Sequence, residues 1–130
     1  MRRFSFSKRP HILLTNDDGI EAPGIAAMAA ALRPIADVTI VAPRYEQSGM
    51  SHALSVFKDL HLERWMRDGE LWGWALAGTP VDCVKVALVD MQHDRPIDLV
   101  VSGINRGQNA GIDILYSGTV AAAREGAILG

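Results

Sequence analysis

The chain has 130 residues, 48% of them apolar, which is long enough for one domain with a buried core and too short for two. Its formal charge of -2, from 13 basic and 15 acidic side chains, offers no general attraction for a nucleic-acid polymer or an anionic membrane, so any phosphate it binds must be held locally. The single cysteine, Cys83, excludes an intramolecular disulfide and fits a reducing cytoplasm, and no apolar run approaches the length of a membrane span.

Residues 1–10 (MRRFSFSKRP) have the positive end of a signal peptide without its apolar segment, and are expected to form a disordered basic leader in which Arg2, Arg3, Lys8 and Arg9 have no role. An α/β domain is expected over 11–130. His11 to Thr15 (HILLT) is a short apolar run that stops at polar, glycine-containing sequence, as a buried parallel strand does on reaching a functional loop. Pro23 and Gly24 then open the small-residue stretch GIAAMAAAL, which suits a helix packed closely on a sheet and ended by Pro34. Asp37 to Ala42 (DVTIVA) is rich in β-branched residues and completes a β-α-β unit, whose right-handed crossover would make its two strands parallel.

From about 53 to 76 the pattern alternates polar and apolar residues around a turn at Arg67-Asp68-Gly69, and predicts a β-hairpin excursion from the α/β core. Trp65, Trp72 and Trp74 fit hairpin packing better than base stacking. Thr79 as N-cap, Pro80 at the first helical position and Asp82 three residues after the cap mark the start of a helix through VDCVKVALVD. Ile97 to Ser102 (IDLVVS) reads as a third strand, and a small-residue helix, VAAAREGAIL, follows Ser117-Gly118-Thr119. The expected architecture is an open, mostly parallel sheet flanked by helices.

In such a sheet ligands bind beyond the carboxyl ends of the strands, where loops and helix N-termini converge. Each of the three strands ends in a polar loop: Thr15-Asn16-Asp17-Asp18-Gly19, then PRYEQSGMS from Pro43 to Ser51, then Ser102-Gly103-Ile104-Asn105-Arg106-Gly107-Gln108-Asn109. Two adjacent aspartates repel each other's ionised form unless a cation intervenes. A hard dication such as Mg²⁺ or Mn²⁺ accepts the oxygens that Asp17, Asp18, Ser48 and Asn105 carry, whereas the few histidines and one cysteine do not suggest zinc. Taken singly, each has a plainer reading, with Asp17-Asp18 as a turn or cap, Ser48 as a turn serine and Asn105 as a left-handed loop residue. Their coincidence at the strand ends favours a shared site.

Tyr116-Ser117-Gly118-Thr119 precedes a helix, so its backbone N–H groups and hydroxyls form either an anion cradle or an ordinary N-cap. A dication beside that helix start would suit phosphoryl transfer to water. Attack by an aspartate, as in haloacid-dehalogenase-type phosphatases, is disfavoured because Asn16 stands two positions before Asp18, and metal-activated water is the expected nucleophile. A phosphoreceiver would need an aspartate where the third strand ends in Ser102-Gly103-Ile104-Asn105, and no G-x-G-x-x-G for a dinucleotide follows the first strand.

Four blocks in order, TNDDGIEAPGI (15–25), VAPRYEQSGMS (41–51), AGTPVDCV (77–84) and VSGINRGQNAGIDILYSGTVAAAREG (101–126), closely resemble the survival protein SurE family. The resemblance implies a Rossmann-like fold, dimeric or tetrameric assembly, and divalent-metal-dependent hydrolysis of nucleoside 5′- and 3′-monophosphates to nucleoside and phosphate, in some members also of short polyphosphate. By motif it places the metal ligands at Asp17, Asp18, Ser48 and Asn105, with the two aspartates catalytic. Phosphate contacts fall on Asn16, Ser51, Asn109, Ser117, Gly118 and Thr119. Members of the family are longer, and the resemblance covers their N-terminal half, so the chain looks truncated. The alternatives are a non-catalytic nucleotide-binding or phosphoreceiver-like module, or an inactive fragment.

Overall fold

A computed structural model describes residues 9–46, 61–91 and 95–105. Strand β1 (His11–Thr15) is apolar on both sides because both of its faces are covered. Its successive side chains alternate between two cores, as the period of a strand requires. Leu13 joins Val41, Leu76, Cys83, Val84, Ala87 and Leu88 on one face, while Leu14 joins Ile20, Ile25, Ala29, Ile40, Ala42 and Ala75 on the other. Each fully buried leucine contributes roughly 1.5–3 kcal/mol.

The remaining elements are helix α1 (Pro23–Leu32), β2 (Asp37–Pro43), β3 (Leu62–Arg67), β4 (Glu70–Leu76), helix α2 (Pro80–Val86) continued by a π-helical turn (Ala87–Met91), and β5 (Leu99–Ser102). The five strands form one sheet in the order β3-β4-β2-β1-β5. β1 runs parallel to β2 and β5, β2 parallel to β4, and only β3 is antiparallel to its neighbour. The architecture is therefore the expected mostly parallel α/β sheet, with α1 against the Leu14 face and α2 against the Leu13 face. Among the described residues no helix is long and apolar enough to cross a membrane.

α2 begins with a capping box: Thr79 Oγ1 accepts the Asp82 N–H at 3.2 Å, and Asp82 Oδ2 accepts the Thr79 N–H at 2.8 Å. α1 has no side-chain cap and starts with Pro23 at its first turn. The carbonyls of its C-cap and of the turn that follows are served from afar, with the Arg9 guanidinium donating to Arg33 O at 2.6 Å, Ala36 O at 2.8 Å and Pro34 O at 3.1 Å. A cation there also suits the negative end of the helix dipole. Arg9, read from the sequence as part of a leader without a role, is thus an ordered cap; residues 1–8 lie outside the described part.

The hairpin turns at Asp68 and Gly69, both with positive φ, as a two-residue turn matched to strand twist requires. It is built into the sheet, because β4 pairs with β2 from Val41↔Trp74 to Pro43↔Leu76. Trp65 and Trp72 pack on the α1-side core and Trp74 on the α2-side core. The helix expected after residue 119 lies outside the described residues.

Candidate functional site

The parallel strands β1, β2 and β5 end at one side of the sheet, and backbone contacts weld their loops together. Ile20 N–H donates to Pro43 O at 2.8 Å, tying the first loop to the second, and Gly103 N–H donates to Thr15 O at 3.0 Å, tying the third to the first. Gly19, with φ at +102°, sits so close to the second loop that a Cβ would lie 3.3 Å from the Tyr45 carbonyl carbon. Gly24, in the first turn of α1, lies so close to the third loop that a Cβ would fall 2.2 Å from Ile104 O. No side chain fits at that contact.

Within the first loop Asn16 is fully buried, and its amide grips Gly19 twice: Nδ2 donates to Gly19 O at 2.8 Å, and Oδ1 accepts the Gly19 N–H at 3.2 Å. Such an Asx-type closure holds the loop in shape. Asn16 thereby braces the loop that carries Asp17 and Asp18.

Asp17 is 4% exposed, and its Oδ1 has no hydrogen-bond partner. Burial first, then the charges of Asp18 and Glu46, push its pKa up to about 6. A carboxylate left in this condition loses solvation and gains repulsion, which is costly unless something positive or hydrogen-bonding completes it. Two hydroxyls nearby in the ladder are in the same state: Thr15 Oγ1 and Ser102 Oγ are buried without partners, and their residues are register partners on β1 and β5, so both point to the α2 face. Cys83 lies on that face too. Its thiol is pushed up by burial and only tempered by Thr15, in a contact that falls short of hydrogen-bond geometry, so it is no nucleophile.

Of the residues singled out from sequence, Asn16, Asp17, Asp18 and Asn105 lie on the two loops that meet at Thr15–Gly103 and Gly24–Ile104. Ser48, Ser51, Asn109, Ser117, Gly118 and Thr119 lie outside the described residues. Among the described residues no group of three or more His, Cys, Asp and Glu side chains could hold a metal ion. Sequence reasoning missed Glu46, which acts on Asp17 across the loop contact. Its signal was an acidic residue in the second polar loop.

The comparisons with known proteins agree with one another. A family profile described as Survival protein SurE matches residues 12–130. The 5′-nucleotidase SurE of Rhodopirellula baltica is 56% identical over 119 residues, covering 92% of this chain and 47% of that protein. The 5′-nucleotidase SurE of Chlorobium phaeobacteroides is 52% identical over 123 residues, covering 95% and 47%. Among solved structures, the SurE protein from Aquifex aeolicus matches with a TM-score of 0.83 at 43% identity, over 93% of this chain and 48% of that one. The chain thus spans about half the length of the relatives it matches. With a family match over nearly its whole length, the chain belongs to the SurE family.

Proposed function

We propose that the chain is the metal-binding part of a phosphomonoesterase that hydrolyses nucleoside monophosphates to nucleoside and phosphate. The relatives' name, 5′-nucleotidase, supports the reaction. The observation that carries it is the Asp17 carboxylate, buried, unpartnered at Oδ1 and beset by two further carboxylates at the meeting of the strand-end loops.

The donor set fits a hard dication, Mg²⁺ or Mn²⁺, since it consists of oxygens alone. Asp17, Asp18 and Asn105 would hold it, with Ser48 as the fourth contributor. When bound, such an ion offsets the carboxylate and phosphate charges and lowers the pKa of water. The chain's own residues supply the geometry. Asn16 fixes the loop that carries the two aspartates, and the Gly24–Ile104 contact sets the third loop, and with it Asn105, against α1. Ser51, Asn109 and the Ser117-Gly118-Thr119 segment would orient the phosphate through their hydrogen-bond donors. A homo-oligomeric assembly and a cytoplasmic setting belong to the same proposal.

Phosphate release from AMP and GMP, measured against Mg²⁺ and Mn²⁺ concentration, tests it. Turnover should require metal and be lost in Asp17→Asn. Metal-independent turnover, or full activity of that variant, would overturn the proposal.

A further inference from the structure

We infer that Tyr45, steadied by Arg44, is the surface on which the substrate's nucleobase stacks, an assignment that rests on the nucleotidase reading above. Tyr45 lies two residues past the end of β2 and is 66% exposed. The three tryptophans, by contrast, all pack on one core or the other. What gives the exposed ring meaning is its position relative to the loop that carries Asp17.

Its backbone is pressed against Gly19 in the loop that carries Asp17, with the Tyr45 carbonyl carbon 3.3 Å from where a Gly19 Cβ would stand. Tyr45 therefore stands on the rim of the loop cluster, not at its floor. In a nucleoside monophosphate the ribose separates base from phosphate, so with the phosphate at the floor, a residue that recognises the base must stand on the rim.

Arg44 supplies the second half of the argument. Its guanidinium carbon lies 5.0 Å from the centre of the Tyr45 ring and 4.7 Å from that of Trp65. The guanidinium also pairs with Glu63 at 3.9 Å, and the Arg44 backbone N–H donates to Leu76 O at 2.8 Å. The arginine is thus anchored on the hairpin and lies against the tyrosine, which restricts the ring before any ligand arrives and reduces the ordering cost of stacking. Base–aromatic stacking tolerates any base, because every base has a π-face. The site would accordingly favour nucleotides over other phosphomonoesters without strong preference among bases. The other arginine-flanked ring, Trp72 between Arg33 and Arg67, lies near the start of β4, toward the opposite end of the parallel strands, and cannot serve the same ligand.

The test compares AMP with ribose 5-phosphate, which keeps the ester and lacks the base, for the unaltered chain, Tyr45→Ala and Tyr45→Phe, with Mg²⁺ or Mn²⁺ present. Tyr45→Ala should raise KM for AMP roughly tenfold and leave ribose 5-phosphate within about twofold, while Tyr45→Phe stays close to the unaltered chain with both. Equal effects on the two esters, or none on either, would overturn the stacking role while leaving the nucleotidase reading intact. Failure of the unaltered chain to turn over either ester would remove both. Since Tyr45 is exposed, an unchanged unfolding midpoint in Tyr45→Ala separates loss of stacking from loss of structure.

Discussion

Asp37 and Asp17 stand at opposite ends of neighbouring parallel strands and meet opposite surroundings. Asp37, at the start of β2, is hydrogen-bonded by Arg95 and Arg9, which hold its carboxyl below the ordinary carboxylate range. Around it the amino-end side of the sheet is closed off in the same way: Arg95 also reaches Arg9 O, His11 N–H donates to Asp98 Oδ2 at 2.8 Å, and the His11 ring engages Thr39 and Pro96. Asp17, just past the end of β1, has burial and like charge where Asp37 has arginines. The first arrangement is what folding by itself favours. The second runs against folding, and such exceptions concentrate where a protein binds something.

The largest test of that contrast is Asp17→Asn. Phosphate release should fall by about a hundredfold or more, since the proposed metal-holding carboxylate loses its charge. The same change should stabilise the metal-free chain at neutral pH by roughly 1–3 kcal/mol, read by urea unfolding, because an uncompensated buried charge disappears. An Asp17→Asn chain that is less stable than its parent without metal would show that the two ends of the strands do not differ in the way described.

Next in size is Gly24→Ala. A methyl group would have to displace the Ile104 carbonyl, so a loss of about 1–3 kcal/mol is expected, with a larger fall in activity than stability alone explains because Asn105 moves with its loop. Activity that tracks the unfolded fraction alone would argue that the spacing of the two loops is unimportant.

The pH dependence of stability separates the two ends directly. Asp17 has its pKa raised from 3.8 to about 6, so the folded metal-free chain holds that proton more tightly than the unfolded one. The corresponding stability is fully present below the unfolded value and is lost as pH rises to about 6. Asp37 is lowered, so its contribution is present above the unfolded value and lost as pH falls through the folded one. Urea midpoints across this range should show that Asp37→Asn flattens the acid limb and Asp17→Asn the limb between about pH 4 and 6. Identical profiles for the two variants would contradict the comparison.

The smallest effect belongs to Thr15→Val. The Thr15 hydroxyl is buried without a partner, so replacing it with an apolar group of the same shape should leave stability unchanged or raise it by a few tenths of a kcal/mol, in contrast to the cap Thr79→Ala, which should cost about 1 kcal/mol. A Thr15→Val loss as large as that of the cap would mean that the hydroxyl is engaged.

What could be read from sequence was local. β1 begins and ends where its apolar run does, and the start of α2 follows from three residues of the capping box. β5 starts two residues later than expected, because Asp98 turns its backbone and side chain to His11 before the ladder begins. The join between hairpin and sheet was not legible, since it depends on β4 finding β2 across the whole intervening segment, which no periodicity encodes. Arg9 was missed for the same reason: its partners, Arg33 to Asp37, are remote in sequence. At the site, the paired aspartates announced themselves by adjacency. The part played by Glu46 depends on Gly19 allowing two loops to touch, a tertiary event.

The meeting of Gly24 with Ile104 has a further consequence. At this point α1 and the third loop meet through main-chain atoms, so their separation there does not depend on a side-chain rotamer. The gauge of the opening is therefore written into the polypeptide backbone itself. A shift of α1 at this point must be shared by the third loop, since no side chain stands between the two to absorb it.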